Sequence, residues 1–310
     1  MEERFHQLDK GKRIWMNGQL IDWDNAKIHV LTHALHYGTA VFEGMRCYET
    51  DRGPAIFRLH DHVRRLINSA KIYLMDFRYS TDEIAQAIRS VVKVNGFREC
   101  YIRPIAYCGF GEMGVNPLHN KVDMAIACWG WGAYLGEDAL KNGVRCIVSS
   151  WRKINSQSLP VQAKSSANYA NSALAKIEAL KVGYDEAIML NESGLVAEGT
   201  GENIFQVKGG ALYTPPTSSG ILGGITRDTV IQLAQDLGVN CREVAISREE
   251  LYISDEVFLT GTAAELTPIR EVDGRKIGDG NYPVTRKLQA AYQDAVKGRS
   301  KHAEWLDHVT

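Results

Sequence analysis

Residues Gly220–Gly238 read GILGGITRDTVIQLAQDLG, a glycine-rich loop that runs straight into a helix at Thr226 and leaves it at Gly238. What flanks this run decides the fold class. Before it the chain reads as strands at Ala187–Asn191 and Leu195–Glu198, then a hairpin of Asn203–Lys208 and Ala211–Thr214 around Gly209-Gly210. After it come a strand pair around Asp273-Gly274 and a closing helix near Thr285–Lys297. Farther upstream, Val144–Trp151 reads as a strand and Tyr169–Leu180 as a helix. Helices and strands thus alternate on both sides of the glycine loop, which predicts a mixed α/β or α+β protein and leaves the topology open.

The first half repeats the mixture. Asn17-Gly18 between Ile14–Met16 and Gln19–Ile21 predicts a tight hairpin, because both turn residues tolerate positive φ. Val63, Leu66, Ile67, Ala70 and Leu74 share one helical face from Asp61 onward. Ser80 and Glu83 form a capping box for a second helix that Gly96 stops. Apolar strands follow at Tyr101–Tyr107 and Val122–Cys128. The stretch Trp129–Gly136 alternates glycines with bulky side chains and reads as a connecting loop. It sets the expected division: a first domain over 1–128, a loop over 129–139 and a second domain over 140–310.

The 310 residues carry a formal net charge of −1, without the basic excess of a nucleic-acid binder. The six cysteines are scattered with no C-x-x-C pair, which reads as reduced thiols rather than a zinc ribbon or a secreted scaffold. The charged start MEERFHQLDKGKR is no signal peptide, and no uncharged stretch approaches the ~20 residues of a membrane span. A soluble, cytoplasmic protein is expected, acting on small molecules or protein partners, with neither nucleic acid nor membrane as partner.

Four features could carry chemistry. His29, His33 and His36 stand at i, i+4 and i+7, but Val30 occupies the place where a zinc-protease motif needs its Glu. No metal site is expected there, and the histidines read as polar groups of a wall or surface. The loop ahead of Thr226 offers a phosphate the amides of a helix start, although it is neither G-x-G-x-x-G nor a P-loop. An ordinary loop with a capped helix fits it equally. Lys164 lies among small residues in PVQAKSSANY, Pro160–Tyr169, where desolvation would yield the neutral amine that Schiff-base chemistry needs. A surface lysine is the plain alternative. Glu198, beside glycines at a strand end, is either a ligand carboxylate or a turn acid.

Taken in order, eight stretches resemble one family. They are His33–Glu49 (HALHYGTAVFEGMRCYE), Tyr101–Pro104 (YIRP), Met113–Pro117 (MGVNP), Trp131–Gly136 (WGAYLG), Ala163–Ser172, Glu198–Phe205 (EGTGENIF), Gly224–Asp228 (GITRD) and Gly261–Pro268 (GTAAELTP). The chain from Ile14 to Val309 is similar to the class IV, D-amino-acid-aminotransferase-like pyridoxal-phosphate enzymes, and closely to their branched-chain amino acid members. Ala167 departs from the family's K-x-x-G-N-Y but stays small, which touches only fine positioning.

The resemblance implies a fold type IV enzyme with a small N-terminal α/β domain and a larger C-terminal α/β pseudo-barrel domain that binds pyridoxal 5'-phosphate. Lys164 then resembles the Schiff-base lysine and catalytic acid/base, Glu198 the partner of the pyridine nitrogen, and Tyr169 the contact to the ring hydroxyl. Arg65, Ile225, Thr226 and Thr262 resemble the phosphate contacts; spacing alone would leave Arg65 as a solvated helix charge. Tyr37, Phe42, Gly44, Tyr101, Arg103, Trp131, Tyr134, Thr262 and Ala263 resemble the substrate pocket. The implied reaction is transamination between leucine, isoleucine or valine and 2-oxoglutarate, by a homodimer or higher homo-oligomer. Other members of the fold, acting on D-amino acids, (R)-amines or aminodeoxychorismate, are the nearest rivals. YIRP and WGAYLG argue against them. A zinc hydrolase on the three histidines and a non-catalytic anion-binding module are the rivals from other classes.

Overall fold

The computed structural model describes residues 8–132 and 135–309, so Tyr134 lies outside the described residues. Two compact units emerge, one of Met1–Gly132 with Val296–Thr310, the other of Ala133–Ala295. Among the described residues the strands gather into two nine-stranded sheets.

In the first unit the hairpin forms as its turn residues require. Strands β1 (Asp9–Lys10), β2 (Arg13–Met16) and β3 (Gln19–Asp22) open the chain, and Asn17 and Gly18 take φ of 50° and 94° between β2 and β3. A five-residue helix α1 (His33–Tyr37) precedes strands β4 (Ala40–Phe42), β5 (Met45–Thr50) and β6 (Gly53–Phe57). Helix α2 (Leu59–Ile72) buries Leu59, Val63, Leu66 and Ala70 along one face. Helix α3 (Thr81–Asn95) starts on the Ser80/Glu83 capping box and ends at Gly96, with φ 73°. The long strands β7 (Cys100–Cys108) and β8 (Val122–Gly130) pair antiparallel with Pro104 opposite Ile126. The order is β6-β5-β7-β8-β2-β3, and β4 also pairs with β7. The two helices seal one apolar core with Met45, Ile56, Ile84, Ile88, Ile102 and Met124.

The second unit holds α4 (Glu137–Asn142), β9 (Val144–Val148), α5 (Ser166–Lys181), β10 (Glu186–Leu190), β11 (Val196–Gly199), β12 (Asn203–Lys208) and β13 (Ala211–Thr214). It continues through α6 (Ile225–Asp236), β14 (Cys241–Glu243), α7 (Arg248–Tyr252), β15 (Glu256–Gly261), β16 (Glu265–Val272), β17 (Arg275–Lys276) and α8 (Pro283–Val296). The sheet order is β11-β10-β9-β16-β15-β12-β13-β14, with β9 parallel to both β10 and β16. Helix α5 buries Asn168, Ser172, Ala175 and Ala179, a face of small side chains that lets it lie close on Ala187 and Met189 of β10. Its long apolar residues Leu174, Ile177 and Leu180 point outward.

The division differs from the expected one at both ends. Strand β8 runs through Gly130, because Trp129 continues the ladder to β7 and both Trp129 and Gly130 pair with β1. The C-terminal residues from 296 on return to the first unit: strand β18 (Leu306–His308) adds antiparallel to β6, and Trp305 sets its ring edge-on to Phe57 at 5.8 Å. Among the described residues no helix is long and apolar enough to cross a membrane.

Candidate active site

In the second unit, Lys164 stands just ahead of α5, at the end of a tight bend. Ala163 N–H donates to the Pro160 carbonyl at 3.1 Å and Ser165 N–H to the Ala163 carbonyl at 2.9 Å. Asn168, one turn into α5, clamps that bend by donating from Nδ2 to the carbonyls of Pro160 and Ala163, both at 3.1 Å. The bend aims the Lys164 amine at the Tyr169 hydroxyl, 2.5 Å away. Lys164 is half-buried and is no solvated surface lysine. An amine held against a phenol is placed to form a Schiff base and exchange a proton.

Glu198, near the end of β11, is almost fully buried. Its Oε1 meets the Lys153 ammonium at 2.7 Å, and its Oε2 accepts from Asn203 Nδ2 at 3.0 Å and from Leu222 N at 3.1 Å. A carboxylate has about four acceptor directions. Three are filled by described residues, which leaves room on Oε1 for one more N–H. Asn203 also donates to the Leu222 carbonyl at 2.9 Å, tying β12 to the glycine loop. Gly224 is required there, since a Cβ would overlap the Asn203 side-chain oxygen. Gly224 is also the N-cap of α6 and brings no capping side chain, so the helix start at Ile225 and buried Thr226 can present its amides to an anion. Thr262 and Ala263 form the turn between β15 and β16.

Glu202, the other acid of EGTGEN, occupies a different niche. It is buried and accepts from the Gly201 amide at 3.0 Å. Burial first, then the negative charge of Glu186, pushes its carboxyl well above the ordinary 4.5. Glu186 itself pairs with the Lys176 ammonium at 2.6 Å and accepts from the Thr200 hydroxyl at 2.7 Å.

In the first unit several of the residues expected at a substrate pocket gather into an aromatic cluster. Tyr101 packs on Trp131 at 4.3 Å and on Trp129 at 5.2 Å between ring centres. Gly44 faces Tyr101 so closely that a Cβ would overlap the phenol oxygen. The Arg103 guanidinium lies 4.8 Å from the Phe42 ring centre and 5.3 Å from that of Tyr101, and donates to the Tyr101 hydroxyl at 3.2 Å. Its Nε is buried without a partner, and no carboxylate pairs with Arg103 among the described residues. Tyr37 is on α1, 41% exposed, and contacts the rings of His33 and His36.

Arg65 is not a solvated helix charge. Its side chain is largely buried and grips Glu43 with Nε on Oε1 at 2.6 Å and Nη2 on Oε2 at 2.8 Å. His62 Nδ1 adds a contact to Oε2 at 2.7 Å. Burial would raise the Glu43 carboxyl, but the charges of Arg65 and His62 and their hydrogen bonds outweigh it and hold the group far below the ordinary range.

The three histidines do not converge. The helix begins only at His33, whose buried ring bonds Thr39 Oγ1 at 2.8 Å and the Gly114 carbonyl at 2.7 Å. His29 accepts from Leu31 N and His36 bonds the Val30 carbonyl. Among the described residues no group of His, Cys, Asp or Glu could hold a metal ion. Glu43, Lys153, Asn168 and Asn203 were not singled out from sequence. Glu43 carries a signal in hindsight, an acid flanked by Phe42 and Gly44 in an apolar strand. Lys153 carries none, because its partner lies 45 positions away in the chain.

Comparison with known proteins fits this geometry. The amino-transferase class IV family model matches residues 40–272. The branched-chain-amino-acid aminotransferase of Pseudomonas aeruginosa is 50% identical over 299 residues, covering 96% of this chain and 97% of the relative. The solved structure of the Escherichia coli branched-chain amino acid aminotransferase superposes with a TM-score of 0.95 at 47% identity, covering 97% of this chain and all of that one. The branched-chain aminotransferase of the thermophilic archaeon Thermoproteus uzoniensis, solved with norvaline, superposes at 0.92 with 45% identity, covering 97% of this chain and 100% of that one. A family model over most of the length, together with relatives of this identity over nearly the whole chain, shows that the chain belongs to the class IV aminotransferase family.

Proposed function

We propose that this chain is a branched-chain-amino-acid aminotransferase that uses pyridoxal 5'-phosphate to move the amino group of leucine, isoleucine or valine to 2-oxoglutarate. The observation that carries the substrate reading is Arg103. It is a guanidinium set between the faces of Phe42 and Tyr101, with a buried Nε lacking a partner and no ion pair among the described residues. Such a wall accepts an apolar branched side chain, and it can also meet the distal carboxylate of glutamate or 2-oxoglutarate.

The residues of the second unit fit the cofactor. Lys164 would hold it as a Schiff base, with Tyr169 at the ring hydroxyl, Glu198 at the ring nitrogen, and Ile225, Thr226 and Thr262 at the phosphate. Arg65 is the further phosphate residue of this reading, its guanidinium held by Glu43. When bound, the cofactor supplies the electron sink. The chain supplies the proton steps and the orientation. With the cofactor bound, the Lys164 amine would take the proton from the substrate Cα and hand it on to the cofactor. Tyr169, 2.5 Å from that amine, holds it in line.

The same reading takes the protein as a homodimer in the cytoplasm. An apolar surface of Val30, Leu35, Phe110, Val115 and Leu118 stands exposed around α1 and the 110–118 loop, Val115 at 83%, and exposed Tyr37 belongs to it. A face of this kind on a monomer marks an interaction site, and a second copy would cover it. Sedimentation should give a dimer that Val115→Glu weakens. All six cysteines are free, Cys47 and Cys100 even as direct cross-strand neighbours, which suits a reducing compartment.

The experiment is a panel of amino donors against 2-oxoglutarate, repeated on Arg103→Leu with single turnovers read by the cofactor's colour. Truncating one member of a desolvated charge pair costs about 2–5 kcal/mol. The glutamate half-reaction should therefore slow by roughly thirty- to several-thousand-fold, and the leucine half-reaction far less. Equal losses in both would reduce Arg103 to a support of the fold.

A further inference from the structure

The Glu198 carboxylate is not met by neutral donors alone. Lys153 leaves the chain five residues after β9 ends, anchored by its own N–H to the Leu190 carbonyl at 2.9 Å. From there its ammonium reaches Glu198 Oε1 at 2.7 Å, with side-chain exposures of 9% and 7% for the two partners. Neither residue has another ionic partner among the described residues. An ammonium so placed is part of the carboxylate's immediate surroundings, on the same oxygen that keeps the remaining acceptor direction.

We propose that Lys153 is a positioning residue for the reaction: by its ion pair with Glu198 it keeps that carboxylate negative, so that a proton shared between the carboxylate and the cofactor's ring nitrogen stays on the nitrogen. The inference rests on the reading that Glu198 is the ring-nitrogen partner. Its physics is a comparison of two distances. A cation favours the ionised form of a nearby carboxylate and disfavours a second cation. Lys153 touches Glu198, while the ring nitrogen would lie one hydrogen bond farther on. Coulomb energy falls with distance, so the ammonium stabilises the negative oxygen more than it opposes the protonated nitrogen. Without it, a buried glutamate beside a protonated pyridine is more readily neutralised by taking the proton back. Asn203 and Leu222 N–H then serve a second purpose: they fix the carboxylate so that its open direction does not wander.

The test uses holoenzymes carrying cofactor labelled at the ring nitrogen, whose NMR shift separates the protonated from the neutral ring. Wild type and Lys153→Arg should show the protonated signature. Lys153→Met should move the signal toward the neutral ring, with the protonated-to-neutral ratio falling on the order of tenfold or more. Turnover should fall with it while KM changes little. Glu198→Gln should move the signal in the same direction. An unmoved signal in Glu198→Gln would remove Glu198 as the ring partner and the inference with it. A moved signal there, together with an unmoved one in Lys153→Met, would overturn the role of Lys153 alone. Should Lys153→Met not fold, the double variant Lys153→Met/Glu198→Gln, which removes both charges, is compared with Glu198→Gln. Identical ring signatures and turnover support action through Glu198. A further change in either shows that Lys153 acts by another route and overturns the proposal.

Discussion

Two buried glutamates, one in each unit, show how the same side chain can be closed or open. Glu43 meets the Nε and Nη2 of Arg65, the Nδ1 of His62 and, at 3.3 Å, the Gly44 amide. Three of these donors crowd Oε2, and the Arg65 fork takes both oxygens at once. Glu198 meets one ammonium, one side-chain amide and one backbone amide, and has a direction to spare. Both are buried acids beside cations, so burial and charge alone do not distinguish them. Their donors do: one guanidinium forks across both oxygens of Glu43, whereas Glu198 has a single ammonium on Oε1 and two amides on Oε2, which suits the role proposed for it.

The sharpest way to break the contrast is to neutralise each acid in turn. Glu43→Gln leaves the buried Arg65 cation without its counter-charge, which should cost about 3–5 kcal/mol of stability. Urea midpoints should drop with the slope unchanged, with or without cofactor. A loss under ~1 kcal/mol would mean that water or a rearranged acid replaces Glu43. Glu198→Gln should act on chemistry. Cofactor should still bind, because the phosphate contacts lie elsewhere, and turnover should fall by about 10²–10³, some 3–4 kcal/mol of barrier. Near-normal turnover with intact cofactor would transfer the role to another acid, Glu202 first.

The smallest effects should appear in the pH dependence of stability, with opposite signs for Glu43 and Glu202. Glu43 has its folded value lowered, so its stabilisation is present above the ordinary carboxyl value of 4.5 and lost as pH falls below it. Glu202 has its folded value raised by burial and by Glu186, so its contribution is present below 4.5 and lost as pH rises through the folded value. Thermal unfolding of Glu202→Gln should therefore decline less than wild type between about pH 5 and about pH 9. An identical decline would show that Glu202 is already ionised in the fold.

Local signals made much of this architecture legible from sequence. Asn17-Gly18, the Ser80/Glu83 capping box, Gly96 and the Gly209-Gly210 turn each act through their own backbone, so a short window reads them correctly. What stayed hidden depends on distant partners. Strand β18 exists because β6 offers it an edge about 250 positions earlier in the chain. Helix α5 hides its small residues and shows its leucines, which reverses the usual periodicity because Ala175 and Ala179 lie close on β10. The site followed the same rule. For Lys164 and Glu198 the small neighbours left two readings open and the family resemblance chose between them, whereas Lys153 and the grip of Glu43 on Arg65 become visible only once strands and loops are brought together.

The measurement that bears most directly on the whole account is reduction of the holoenzyme with borohydride, followed by peptide mass mapping. The account predicts a single phosphopyridoxyl label on the peptide containing Lys164, the amine that lies 2.5 Å from the Tyr169 hydroxyl. A label on Lys153, on Lys176 or on any other lysine would contradict it, and would turn the pairing of Lys153 with Glu198 from a support into the reaction centre itself.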